Sequence, residues 1–123
     1  MIIKINNQAD KFYYYLGKVF GSRQIENITH DRIYDDDNKE WYLYINNGNP
    51  EVFVSVVGSK IKNIWSYNRE HLIEILKKIS VDLNIGDSIV TNLFKNEYIE
   101  AGYTIVGHRG QNFLIIRSEF LNE

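Results

Sequence analysis

The sequence predicts an α+β domain built on a mixed β-sheet, a central antiparallel meander with two main flanking helices. Three observations predict it. Apolar residues alternate with polar ones from Glu40 to Trp65 and are interrupted by turn residues; apolar residues at three- and four-residue spacing lie on either side of that region; and the last third closes with two strand-like runs around a Gly-containing turn. No linker, repeat or low-complexity tract divides residues 1–123, so a single domain is expected.

Ile2, Ile3 and Ile5 make a short β-branched run suited to a first strand, and Asn6 or Asn7 can cap a following helix. That helix is predicted from Gln8 to about Phe20, because Ala9, Phe12, Tyr13, Leu16, Val19 and Phe20 fall on one face; Gly21 ends it. Residues 22–39 carry the least pattern. Ile25, Ile28 and Ile33 there admit a helical turn or a strand, and Asp35-Asp36-Asp37-Asn38 forms an acidic tip.

Trp41–Ile45 and Glu51–Val57 read as strands joined by Asn46-Asn47-Gly48-Asn49-Pro50, which is strong hairpin chemistry. Gly58-Ser59-Lys60 permits a second turn into Ile61–Trp65. The period then changes: Leu72, Ile75, Leu76, Ile79 and Leu83 form a helical stripe, Ser66 or Asn68 can cap it, and Glu74 and Lys78 stand at i,i+4. Ser88–Thr91 is a further strand, Asn92–Ala101 a short helix carrying Tyr98, and 103–107 pairs with 112–117 in a final hairpin.

Composition excludes several classes. A formal charge of −2 with dispersed Lys and Arg supplies no field for phosphate backbones, so no nucleic-acid partner is expected. No run approaches the length of a membrane span, and the first residues are too short and polar for a secretory signal, so no membrane partner and a cytoplasmic location are expected. With no Cys there is neither a disulfide framework nor a thiol nucleophile. The 14 Asn and 18 Ile against 1 Pro are the composition of an AT-rich genome, a low-GC bacterium or its phage. The Asp35–Asn38 run lacks the alternating spacing of a calcium loop, and His30, His71 and His108 show no helical ligand spacing, so no metal is predicted.

The order β-α-(variable)-β-β-β-α-β-α-β-β, together with Tyr98 followed at four residues by Gly102 and at five by Tyr103, resembles the GNAT acetyltransferase superfamily. That resemblance implies an acetyl-CoA-dependent N-acetyltransferase acting on an amine of a protein or small molecule. Backbone groups around Ile64, Trp65 and Ser66 would hold the pantetheine by strand-like pairing, with Arg69 beside the phosphates and Asn92 in the turn after the following strand. Tyr98 would protonate the departing thiolate, which needs its hydroxyl within hydrogen-bond reach of the sulfur. Tyr98 also reads as an aromatic that packs a terminal helix onto the sheet.

The family's Q/R-x-x-G-x-G/A loop, whose amides bind the pyrophosphate, is absent. The corresponding stretch is Tyr67-Asn68-Arg69-Glu70-His71-Leu72, and no glycine lies between Gly58 and Gly86. Glu70 adds a charge that repels phosphate. The departure favours a scaffold that binds no cofactor and serves as a small interaction or inhibitor protein, of the kind a phage encodes. Its protein partner would meet aromatic anchors among Tyr14, Tyr15 and Trp41.

Overall fold

A computed structural model describes residues 1–118. Its elements run β1 (Ile2–Ile5), α1 (Phe12–Leu16), α2 (Arg23–Thr29), β2 (Glu40–Asn46), β3 (Asn49–Val57), β4 (Lys60–Ser66), α3 (Arg69–Asp82), β5 (Ser88–Thr91), α4 (Lys95–Glu100), β6 (Tyr103–Arg109) and β7 (Phe113–Ser118), with a 3-10 turn at Asn92–Phe94 between β5 and α4. The strands form two sheets, β1-β2-β3-β4 and β5-β7-β6, in which every pairing is antiparallel. The α+β class and the central meander are as the sequence predicts.

The meander follows from its turns. Asn47 (φ 52°) and Gly48 (φ 80°) sit between the paired Asn46 and Asn49. Two successive positive φ values define the hairpin turn whose twist matches its strands, and Asn-Gly is its preferred sequence. Both faces of the resulting sheet are covered. Tyr42 donates to Asp82 of α3 at 3.0 Å and Tyr44 stacks on His71 of α3 at 3.7 Å. On the opposite face Trp41 meets Phe20 edge-on, 5.5 Å between centroids.

The first helix is shorter than the periodicity predicts. α1 is little more than one turn, and Val19 then bonds Leu16 with three-residue spacing, so the 3.6-residue period is lost. Phe12 and Leu16 set the buried side, which leaves Tyr13 66% exposed in place of the burial expected of it. Gly21 adopts φ 69° beyond these turns. In the weakly patterned region Ser22 caps α2 by accepting from Ile25, and Thr29 satisfies its own hydroxyl on the Ile25 carbonyl. Lys78 pairs with Asp82 at 3.2 Å, one turn beyond the predicted Glu74 contact.

Three tyrosine hydroxyls give the fold a pH signature. Burial, the main cause, raises Tyr98 and Tyr103 well above the ordinary phenol value, and burial followed by the Asp82 hydrogen bond pushes Tyr42 up to about 12. An unfolded tyrosine ionises near 10, so above that pH the folded chain holds protons that the unfolded chain has lost. Stability is therefore expected to fall above about pH 10, by up to ~1.4 kcal/mol per pH unit for each fully buried hydroxyl. Tyr42, whose hydroxyl reaches Asp82 near the surface, should contribute least. Thermal unfolding at pH 8, 10 and 11 checks this; an unchanged midpoint would contradict the burial.

Candidate functional site

The site lies where the two sheets part. β4 and β5 run parallel and are joined at their beginnings, where Gly86 donates to the Ser59 carbonyl at 2.8 Å and Ile61 to the Ser88 hydroxyl at 3.0 Å. Beyond those bonds, among the described residues, β4 pairs with β3 and β5 with β7 and not with each other. At the separated ends Trp65 of β4 meets Phe94, just after β5, edge-on at 6.1 Å, and Tyr67 stands perpendicular to the same indole at 5.6 Å. Trp65 is 9% exposed, and its buried Nε1 has no hydrogen-bond partner among the described residues.

A bulge shapes β4 just before this point. Val54 pairs with Ile64 and Val56 with Ile61, so Lys62 and Asn63 together oppose Ser55. The Asn63 amide donates to the Ser55 hydroxyl at 2.9 Å. The Asn63 side chain gathers a buried polar cluster: Lys39 Nζ donates to its Oδ1 at 2.6 Å and to the Tyr34 carbonyl at 2.7 Å, while its Nδ2 donates to Asp31 at 3.0 Å. Lys39 Nζ also lies 3.7 Å from the centre of the Tyr34 ring. Desolvation leads in both shifts, holding the Lys39 ammonium below its ordinary range and raising the Asp31 carboxyl. The cluster ties residues 31–39 across β4. Strand alternation read one residue further back would have signalled it, since Lys39 shares a face with Trp41 and Leu43.

The acidic tip is likewise held by the chain itself. Asn7 donates to Asp35 and Asp37, at 3.1 and 3.0 Å, and the Trp41 indole donates to Asp35 at 3.2 Å.

Only Tyr67 and Asn68 separate β4 from α3. Asn68 Oδ1 accepts from the His71 amide at 3.0 Å, so one of the amides that the helix start leaves without a backbone partner is already paired. The Arg69 guanidinium bridges to α4, with Nε 3.3 Å from Glu97 and Nη2 bonded to Glu100. His71 Nδ1 lies 2.6 Å from Glu51, a hydrogen bond that lowers the Glu51 pKa. A pyrophosphate cradle requires free amides and a glycine-lined approach. A two-residue connection, a side-chain cap and the carboxylates of Glu70, Glu97 and Glu100 do not fit one.

Tyr98 is fully buried, and its hydroxyl donates to the Thr91 carbonyl at 3.2 Å. Ile64 is buried on the side facing α3, and Ser66 Oγ is paired with the Asn68 backbone. Asn92 Nδ2 donates to the Gln111 carbonyl at 2.7 Å, pinning the end of β5 to the β6–β7 tip. Trp65, Ser66 and Arg69 thus gather at the end of β4, with Tyr98 and Asn92 across the divide. Of the aromatic anchors, Tyr14 is 73% exposed and Tyr15 partly so, but Trp41 is fully buried. The expectation of Trp41 as a surface anchor is corrected: its ring fills the core against Phe20 and its N–H is spent on Asp35.

No sequence-family model matches the chain, and no curated protein sequence matches it. Solved structures do. An acetyltransferase from Bacillus subtilis, in complex with CoA, superposes with a TM-score of 0.57 over 98% of both chains at 12% identity. An acyl-CoA N-acyltransferase from Pseudomonas aeruginosa gives 0.54 over 97% of this chain and 99% of its own, at 9% identity. With the element order and the parting of β4 from β5, this likeness establishes that the chain has a GNAT-like fold in a divergent form.

Proposed function

We propose that this GNAT-like chain works as a small protein-binding or inhibitor domain in the cytoplasm, with its cofactor cleft closed by its own side chains. The observation that carries this reading is the two-residue step from β4 to α3, capped by Asn68 and bridged to α4 through Arg69, where a cofactor's pyrophosphate would need open amides. Isothermal titration with acetyl-CoA at neutral pH and low salt is expected to give no saturable binding. A micromolar or tighter dissociation constant would overturn the reading.

The second reading is an acetyl-CoA-dependent N-acetyltransferase acting on an amine. It is favoured by the parting of β4 from β5, with the unpartnered Trp65 N–H at that place, and by the acyltransferase identity of the structural neighbours. On this reading Tyr98 is the candidate proton donor, which requires its hydroxyl to leave the Thr91 carbonyl.

A further inference from the structure

Two adjoining cavities, of about 260 and 100 Å³, share Tyr15, Lys18, Asn49 and Pro50 and form one groove between α1 and the β2–β3 hairpin tip. Phe53 and Tyr67 line the larger cavity and Tyr14 the smaller. The groove is separate from the β4–β5 divide, although Tyr67 touches both. Tyr14 and Tyr67 are 73% and 64% exposed, so two of the most exposed aromatic rings among the described residues border one concavity.

Among the described residues that line the two cavities Lys18 carries the one formal charge, and its exposed ammonium makes no ion pair among the described residues, although the whole chain carries a net charge of −2. The hydroxyls of Tyr14, Tyr15 and Tyr67 are also without hydrogen-bond partners there. An aromatic floor beside an unneutralised cation and unspent phenol donors complements an apolar side chain flanked by a carboxylate.

We propose that this groove receives an acidic segment of a partner protein, which inserts one aromatic side chain over Phe53 and Tyr67 and sets a neighbouring carboxylate on Lys18. The assignment rests on the binding-domain reading above and gives it a surface and a partner chemistry. Blocked pentapeptides test it by amide-detected NMR titration: Gly-Glu-Phe-Asp-Gly, its lysine counterpart Gly-Lys-Phe-Lys-Gly, and 3-phenylpropionate as a small acid. The acidic peptide should produce saturable shifts confined to Tyr15, Lys18, Asn49 and Tyr67. The lysine peptide should bind about tenfold more weakly, and Lys18→Glu should weaken the acidic peptide by about tenfold while Lys18→Arg leaves it unchanged, the scale of one surface charge reversed.

Shifts elsewhere, equal affinity for both peptides, or no saturation at millimolar concentration would overturn the proposal. Equal binding of 3-phenylpropionate would reassign the groove to a small organic acid and overturn the partner assignment. Acetyl-CoA affinity is measured separately, so tight cofactor binding would defeat the binding-domain reading without altering the peptide result.

Discussion

Replacing Tyr98 with alanine is expected to lower the free energy of unfolding by about 3–5 kcal/mol, whereas Tyr98→Phe should lower it by only ~1 kcal/mol. The ring is fully buried where α4 meets the second sheet, so truncation leaves a cavity that rigid strands on one side cannot close. Phenylalanine keeps the volume and loses one hydrogen bond, to the Thr91 carbonyl at the end of β5. Urea unfolding monitored by circular dichroism separates the two costs. Equal losses for the alanine and phenylalanine variants would mean that the hydroxyl, and not the ring, anchors α4. If acyl transfer is found in the wild type, the same phenylalanine variant tests the role of Tyr98 in it: a folded Tyr98→Phe protein with greatly reduced turnover would identify the hydroxyl as the proton donor.

The elements legible in the sequence are those where local chemistry and tertiary packing agree. Asn47-Gly48 supplies the backbone that its hairpin requires, Ser88–Thr91 is a strand as its composition says, and α3 begins at an Asn68 cap. Helical spacing from Ala9 through Phe20 implies a longer first helix than the chain forms, because it breaks into turns around a single helical turn. Helix α2 was ambiguous because it is seven residues long, and its buried side is one isoleucine and one threonine whose hydroxyl is satisfied locally. Alternation also misled about Trp41. It assigns residues to two faces but does not say that helices cover both, and Trp41, Tyr42 and Leu43 are all buried.

The candidate site was legible at one point and hidden at another. The sequence has no glycine between Gly58 and Gly86, and in the structure two residues, Tyr67 and Asn68, connect β4 to α3. The Lys39–Asn63–Asp31 cluster is legible only in part: strand parity puts Lys39 on the face of Trp41 and Leu43, whereas Asp31 and Asn63 taken alone look like ordinary polar surface. Only the pairing of β3 with β4, and the bulge opposite Ser55, brings residues 31, 39, 55 and 63 together.

That cluster carries the last large effect. Lys39→Met keeps most of the aliphatic stem and removes a buried ammonium with two short hydrogen bonds, and is expected to lower the unfolding free energy by about 3 kcal/mol. The Tyr34 carbonyl and the Asn63 amide oxygen lose a charged donor, and Asp31 loses the nearby positive charge that lowers its pKa. The Asp31 carboxyl should therefore titrate at still higher pH in the variant, which carbon-detected NMR reads directly. The stability gap has a definite pH dependence. Burial holds the Lys39 pKa below 10.5, so on raising the pH the folded protein gives up this proton before the unfolded chain does. Stability gained in that window is present only in the wild type, and the gap should widen as pH rises toward 10.5. A variant as stable as the wild type, with the Asp31 titration unmoved, would show that Lys39 is not the tie that holds residues 31–39 across β4.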